Sequence, residues 1–184
     1  MTTPAAFDYQ PTLEGPLVTL RPVTSSDWEA LFAVGGDPKV WAGHPNADRY
    51  QEDVFRAYFE DGIACGGALV AELAQDRTVI GWSRFSKLFV EADEIEIGWT
   101  FLGCAWWGGA HNAEMKRLML EHAFRYVPKV IFRIGETYVR SRRAAEKIGA
   151  RLIEGRRTPS PSPGGPDNLF YVIDQMRSRS GVTA

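Results

Sequence analysis

The stretch from Glu94 to Pro128 constrains the fold of this chain more than any other part of the sequence. An alternating run at residues 94–101 predicts a β-strand, and Gly108 and Gly109 then lead into a helical pattern over about residues 110–126. Pro128 prevents that helix from continuing. A strand joined to a long helix through a glycine turn indicates an α/β domain.

Apolar periodicity and turn residues predict the remaining elements. One helix begins after residues 24–27 and ends at Gly35, and a second carries Phe55 and Tyr58 and ends at Gly62. Further strands are predicted at 17–23, 68–73, 78–85, 130–134, 150–155 and 169–173, with a fourth helix at 140–147. This order predicts one mixed α/β (α+β) sheet with helices packed on it.

The chain of 184 residues has the length of one domain. We expect an N-terminal arm at 1–16 that is loose, a single domain at 17–175 and a C-terminal tail at 176–184. Residues 158–166 are almost wholly Pro, Ser and Gly and predict a long, mobile connection between the last two strands.

Charge and composition argue against several kinds of partner. The formal net charge is -2, which argues against a nucleic-acid partner. No apolar run reaches the roughly 18 residues that span a bilayer, and the N-terminus lacks a signal-peptide pattern, so we expect a cytoplasmic protein without a membrane partner. Cys65 and Cys104 have no ligand partners at zinc spacing, so we expect neither a disulfide nor a metal.

The turn at residues 108–110 has the composition of a phosphate-binding turn. Gly108, Gly109 and Ala110 allow successive backbone N–H groups to face one point, and the following helix adds the positive end of its dipole. Glycines that only make a tight turn are the alternative. The turn lacks both the P-loop pattern and the Gly-x-Gly-x-x-Gly pattern, which argues against nucleoside triphosphates and NAD.

Three segments together resemble the GNAT superfamily of N-acetyltransferases, and most closely its RimJ/RimL-like branch. They are Glu-Ile-Gly-Trp at 96–99, Trp-Gly-Gly-Ala-His-Asn-Ala-Glu-Met-Lys at 107–116, and Arg-Ser-Arg-Arg-Ala-Ala-Glu-Lys-Ile-Gly-Ala at 140–150. The resemblance extends from about residue 13 to residue 173. It implies a mostly antiparallel seven-stranded sheet flanked by about four helices. The fourth and fifth strands would splay apart to admit the pantetheine arm of acetyl-CoA.

The resemblance also implies a set of residues that bind the cofactor. The turn before the third helix would bind the pyrophosphate, and a bulge in the fourth strand would leave backbone N–H groups free for the oxyanion. We expect one or two of Lys116, Arg140, Arg142 and Arg143 to meet the CoA phosphates. The cofactor-binding residues are Trp99, Thr100, Phe101, Trp107, Gly108, Gly109, Ala110, His111, Asn112, Arg140 and Arg143.

Acetyl transfer to an amine requires a base for the amine proton and an acid for the departing thiolate. Glu96 matches the family position of the base, although Glu94 shares its strand face and either could be only a charged edge residue. Ser141 matches the position of the acid, and Tyr138 is the alternative acid. His44 lies in a loop that we expect on the acceptor side.

Two departures from the family pattern leave a second function open. Ala105 replaces the usual Gln or Arg of the pyrophosphate motif, and Tyr138 replaces the usual Asn before the fourth helix. The first hypothesis is an N-acetyltransferase, monomeric or homodimeric, that acts on a protein or peptide N-terminus or on a small amine. The alternative is a CoA-binding module without turnover.

Overall fold

An eight-stranded open sheet carries helices on both of its faces. The computed structural model describes residues 6–160 and 165–175. The predicted tail at 176–184, the first five residues of the predicted arm and the middle of the Pro-rich connection lie outside the described residues.

The strands follow the order β1-β2-β3-β4-β5-β6-β8-β7 across the sheet. Neighbouring strands are antiparallel except β5 and β6, which pair in parallel. The strands are β1 (Leu13–Glu14), β2 (Val18–Pro22), β3 (Ala68–Leu73), β4 (Val79–Ser86), β5 (Glu94–Leu102), β6 (Lys129–Gly135), β7 (Arg151–Thr158) and β8 (Asn168–Asp174). The helices are α1 (Trp28–Gly35), α2 (Glu52–Ala64), α3 (Ala110–Ala123) and α4 (Val139–Lys147).

The prediction of seven strands was one short, because the additional strand lies in the segment that we expected to be a loose arm. β1 pairs with β2 through Leu13 and Leu20. Upstream of it, the Phe7 ring lies 5.2 Å from the Phe85 ring and 5.0 Å from the Tyr126 ring. The described part of the arm therefore packs on the sheet, since burial of Phe7 compensates for the entropy lost in ordering these residues.

The two largest apolar clusters of the described residues lie on the two faces of the sheet. Side chains alternate along β3, so Leu69 and Ala71 face α3, whereas Val70 faces α1 and α2. The α3 cluster includes Met115 and Met119, both fully buried. Both helical layers therefore follow from the continuous apolar runs of the central strands, which need cover on both faces.

β5 and β6 separate partway along their length. They pair only through Glu94 with Lys129, Ile95 with Val130, and Glu96 with Ile131. Beyond Glu96, β5 continues along β4 and β6 continues along β8. We call this parting the fork. It is the splay of the fourth and fifth strands that the family resemblance implies, and these strands are β5 and β6 because β1 precedes the first predicted strand.

The helix boundaries agree with the positions of glycine and proline in the sequence. α1 ends at Gly35, whose Cβ, if present, would lie 2.2 Å from the Phe55 ring. α3 begins after Gly109 and stops short of Pro128. No helix within residues 6–160 and 165–175 has the length and apolar character needed to cross a membrane.

Candidate active site

A β-bulge in β5 lies directly above the fork. Gly98 pairs with Arg84 and Phe101 pairs with Trp82, so Trp99 and Thr100 stand opposite the single residue Ser83. Trp99 adopts φ of 51°, a left-handed conformation that a large side chain rarely takes. Strain of this kind persists only where the surrounding structure holds it, and it concentrates at functional sites.

Two buried side chains hold the bulge in place through one carbonyl. The Tyr58 hydroxyl donates to the Trp99 carbonyl oxygen at 2.5 Å, and the Trp82 indole N–H donates to the same oxygen at 2.9 Å. Because a trans peptide is planar, the N–H of Thr100 points away from Tyr58 and Trp82. The sequence pattern showed neither anchor, since Tyr58 lies 41 residues from Trp99.

Glu96 lies at the last pair before the fork and is 1% exposed. Its Oε1 accepts from Nε of Arg133 at 3.3 Å, whereas Oε2 is buried and has no hydrogen-bond partner among the described residues. Burial raises the pKa of Glu96, and the nearby positive charges of Arg133 and Arg84 offset part of that effect. A carboxylate with a raised pKa and a free oxygen is suited to take a proton.

Glu94, on the same strand face, has a different environment. Arg156 donates to both of its carboxylate oxygens at 2.8 Å. Burial alone would raise the pKa of Glu94, but the hydrogen bonds from Arg156 and the Glu91 backbone hold that pKa below its usual range. Between the two carboxylates that the sequence left open, Glu94 therefore fits the charged edge residue and Glu96 fits the base.

The predicted phosphate turn joins β5 to α3. A short 3₁₀ turn at Cys104–Trp106 precedes it, and Ala105 is exposed there. Gly108 has φ of 64°, and a Cβ on it would meet no atom within 4 Å. The first turn of α3 carries no acidic residue, so its free N–H groups present an uncompensated positive end.

Aromatic and basic side chains flank this turn. Trp107 is 37% exposed, and its indole N–H donates to the Leu102 carbonyl at 2.7 Å. The Arg140 guanidinium stacks on the Trp107 ring at 3.9 Å. His111, in the first turn of α3 beside Asn112, lies edge-on to Trp106 at 4.8 Å. Arg140 is thus brought from α4 to the turn.

The other basic residues of α4 differ from one another. Arg143 is exposed and has no ion pair or hydrogen bond with any described residue. Arg142, which we had grouped with the phosphate-binding residues, instead donates to the Tyr171 hydroxyl at 2.8 Å and to the Glu136 carbonyl at 2.9 Å. Its guanidinium joins α4 to the sheet.

The two candidate acids lie together at the start of α4. Ser141 is in the first turn, and its hydroxyl makes no hydrogen bond with a described residue. Tyr138 precedes the helix, and its hydroxyl accepts a short hydrogen bond from Arg140. Phe101 is different, because its side chain is buried among the aromatic residues under α1 and α2. Only its backbone is left to meet a cofactor.

The loop before α2 closes the other side of the fork. His44 lies edge-on to Tyr138 at 4.9 Å, and its Nδ1 accepts from the Asn46 N–H at 2.9 Å. Burial and the positive charge of Arg49 lower the pKa of His44 to about 3. His44 is therefore neutral, with its proton on Nε2.

Lys116 does not lie where the sequence placed it. Expected among the phosphate-binding residues, it is 8% exposed and donates to the Thr100 hydroxyl at 2.6 Å. The helical period could have predicted that Lys116 is buried, because Lys116, Met119 and Ala123 are spaced three and four residues apart on the buried face of α3. Our prediction considered the charge of the lysine and not its place on the helix.

Comparison with known proteins agrees with this geometry. The family model of the GNAT acetyltransferase domain matches residues 18–151. A GCN5-related N-acetyltransferase from Brucella melitensis shares 18% identity at a TM-score of 0.80, covering 94% of this chain and 82% of that one. Mycobacterium smegmatis RimJ, solved with CoA-disulfide, shares 18% identity at a TM-score of 0.68, covering 91% and 87%.

A third similar structure is the spermidine N-acetyltransferase from Vibrio cholerae, solved with CoA and spermine. It shares 14% identity at a TM-score of 0.67, covering 90% of this chain and 99% of that one. At these identities the structural likeness shows the fold, and the match of the family model over residues 18–151 shows the family. The chain belongs to the GNAT family of acetyl-CoA-dependent acetyltransferases.

Proposed function

We propose that this protein is an N-acetyltransferase of the RimJ/RimL-like branch that moves an acetyl group from acetyl-CoA to a primary amine. The amine attacks directly while both substrates are bound. The observation that carries the proposal is the buried carboxylate of Glu96, with one free oxygen and a raised pKa, at the point where β5 and β6 part.

The residues around the fork fit acetyl-CoA. Backbone N–H groups of Gly108, Gly109 and Ala110, with those of His111 and Asn112 in the first turn of α3, would hold the pyrophosphate. The exposed Arg143 and the Arg140 guanidinium on Trp107 would meet further phosphate oxygens. The gap between β5 and β6 leaves backbone edges for the pantetheine arm. When bound, acetyl-CoA supplies the activated acetyl group.

Each chemical step has a group at the fork to perform it. Glu96 takes the proton of the amine, directly or through water. The N–H of Thr100 and its neighbours in the bulge donate to the oxyanion. The Ser141 hydroxyl protonates the departing sulfur, and Tyr138 is the alternative, because both hydroxyls lie at the start of α4.

The acceptor enters from the side of α1 and α2. Guanidinium groups surround this entrance, on Arg49, Arg84, Arg133 and Arg140. Among the described residues, Asp61 pairs with Arg84 and Glu96 with Arg133, and Arg140 is assigned to the CoA phosphates, which leaves Arg49 as the free positive charge. This charge favours an amine that carries an anionic group, such as an acidic peptide N-terminus or an amino acid, over a polyamine.

Release of free thiol from acetyl-CoA in the presence of an amine panel tests the proposal. The panel contains acidic and basic peptides, amino acids and spermine. We expect Glu96→Gln to lower turnover by a factor of about 100 to 10,000 while acetyl-CoA binding is kept. Turnover of the native enzyme should fall as the pH drops through the raised pKa of Glu96, since the base must be ionised.

Glu94→Gln is the matched control, because it removes a carboxylate from the same strand face without touching the proposed base. It should retain the pH profile of turnover. An unchanged profile in Glu96→Gln would remove Glu96 from its role. Binding of acetyl-CoA without thiol release on any amine would favour a CoA-binding module, which Ala105 and Tyr138 motivate.

The composition supports a proposal for the location and partners of the enzyme. With a formal net charge of -2, we propose a cytoplasmic enzyme, monomeric or homodimeric, that acts on amine acceptors and not on nucleic acid or membranes. Light scattering of the purified protein would establish the oligomeric state.

A further inference from the structure

Lys116 is a buried lysine at the fork that has no counter-ion among the described residues. Its Nζ donates to the Thr100 hydroxyl at 2.6 Å and to the Ser83 hydroxyl at 3.3 Å. Those two hydroxyls are themselves 2.7 Å apart. No carboxylate of a described residue lies within ion-pair distance of Nζ, although 13 ion pairs are formed elsewhere.

The contacts of Lys116 place it across the gap between the two parting strands. Thr100 belongs to the bulge of β5, and the Phe132 ring, 5.8 Å from Nζ, belongs to β6. The pairing of these strands ends below this level, at Glu96 and Ile131. The ammonium group therefore approaches the fork from the α3 side, whereas Glu96 approaches from the side of α1 and α2.

An unpaired buried ammonium destabilises the fold, because desolvation disfavours the charge and hydroxyl acceptors only partly replace water. A methionine would fill the same volume on this apolar helix face without that penalty. Desolvation also lowers the pKa of Lys116 to about 7, and a negative charge formed beside it raises that pKa and keeps the ammonium protonated. No described residue supplies the opposite charge that would compensate the lysine, whereas the proposed reaction forms a sulfur anion at the fork.

We propose that Lys116 is a positioning residue that, through the Thr100 hydroxyl, supplies the positive charge that stabilises the departing CoA sulfur. This rests on the proposed function. In the step, the amine nitrogen bonds to the acetyl carbon, and the carbon–sulfur bond breaks with its electron pair on sulfur. Glu96 receives the amine proton, and the sulfur is then protonated from the start of α4. Lys116 keeps its own protons throughout.

Titration of the thiol of bound CoA tests this role without any turnover. The probe is CoA itself, and the ultraviolet absorbance of the thiolate is followed against pH in the native protein, Lys116→Met and Lys116→Arg. We expect the thiol pKa to rise by about one to two units in Lys116→Met, the effect of a unit charge at about 6 Å with an effective dielectric constant of about 20. Lys116→Arg should stay near the native value.

Two further variants keep the test decisive. Thr100→Val keeps the lysine but removes the hydroxyl that connects it to the fork, and should raise the thiol pKa in the same direction. Lys129→Met removes an equal charge at the far end of β6, where Lys129 pairs with Asp93 at 2.9 Å, and should leave the thiol pKa unchanged.

The outcomes separate this proposal from the proposed function. If CoA does not bind to the native protein, the proposed function fails. If CoA binds and its thiol pKa is the same in the native protein, Lys116→Met and Thr100→Val, the role of Lys116 is overturned while the function stands. Acetylation of Lys116 by acetyl-CoA, detected by intact mass, would also overturn it, because an acetylated lysine carries no charge.

Discussion

At the scale of single residues, the site contains buried charged groups that lack hydrogen-bond partners for some of their polar atoms. Glu96 has an unpartnered oxygen, and Arg84, 3% exposed, has two guanidinium nitrogens without a hydrogen bond to a described residue. The Arg84 guanidinium stacks on Trp99 at 3.8 Å, which fixes the bulge residue from the side. Polar groups left unsatisfied in this way destabilise a fold, so their concentration at one fork is typical of a functional site.

We predict that His44 makes the protein sensitive to acid. The pKa of His44 is lowered to about 3 from its usual value of 6.5. Between these two values the unfolded chain binds a proton that the folded chain does not, so this residue's contribution to stability is present above pH 6.5 and is lost as the pH falls towards 3. In urea unfolding from pH 7 to pH 4, His44→Gln should lose less stability than the native protein. His111→Gln is the control and should follow the native protein, and an equal slope for His44→Gln would contradict the prediction.

The two candidate acids can be separated by substitution. We predict that Ser141→Ala lowers turnover by about 10-fold to 100-fold with acetyl-CoA binding retained, because loss of a general acid acts on the chemical step. Tyr138→Phe should then have the smaller effect on turnover. Steady-state kinetics of the two variants decide the assignment, and a larger loss in Tyr138→Phe would transfer the role to Tyr138.

At the scale of elements, the β5–turn–α3 unit is where local sequence and function coincide. The turn at Gly108 requires a left-handed backbone, and the helix that follows has an N-terminus without acidic residues. The unit also carries the bulge that interrupts the pairing of β5 with β4, which resumes at Phe101. One continuous stretch of chain therefore provides both the anion-binding turn and the free backbone groups beside the fork.

We predict that Gly108→Val weakens binding of acetyl-CoA by about 10-fold. A β-branched side chain at φ of 64° costs roughly 1–2 kcal/mol, so the turn either distorts or strains when the phosphates bind. Gly155→Val is the matched control, because Gly155 has φ of 76° with open space around it but lies in β7. Calorimetry with acetyl-CoA should show weaker binding only for Gly108→Val. Equal dissociation constants for the two variants would show that the turn does not bind the phosphates.

At the scale of the whole molecule, the chain forms one sheet whose two faces, in the proposed function, meet different substrates. α3 and α4 line the proposed cofactor side, and the loop before α2 lines the acceptor side. The N-terminal segment adds to the opposite end of the sheet, where the His122 ring bonds the Asp8 carbonyl at 2.7 Å. We therefore expect this segment to affect the stability of the domain and not the binding of acetyl-CoA.

We predict that Phe7→Ala lowers the free energy of unfolding by about 2 kcal/mol, less than a fully buried phenylalanine because Phe7 is partly exposed. The affinity for acetyl-CoA should not change. Leu88→Ala, at a leucine that is 69% exposed, is the control and should change stability by less than about 0.5 kcal/mol. Urea unfolding compares the two, and a loss as small as that of Leu88→Ala would show that the segment does not stabilise the domain.

The sequence alone determined the features that depend on neighbouring residues. Strand alternation, helical period, and glycine and proline positions predicted all four helices and seven of the eight strands of the described residues, and the family model confirms the resemblance that three segments carried. β1 was missed because a strand of two residues is too short to show an alternating pattern. Its extended conformation depends on pairing with β2. Linear patterns record local preferences of this kind, since turns and periodic faces are set within a few residues.

Only the tertiary structure decided how distant charges are paired. Glu94 and Glu96 have the same sequence pattern around them. They differ because Arg156, 62 residues away, donates hydrogen bonds to both carboxylate oxygens of Glu94. Arg142 resembled a surface cation until packing directed it to Tyr171, and packing also decided that Lys116, buried by its place on the helix, reaches Thr100. Desolvation and ion pairing depend on which groups meet in three dimensions, so the proposals for the base and for the buried lysine needed the fold.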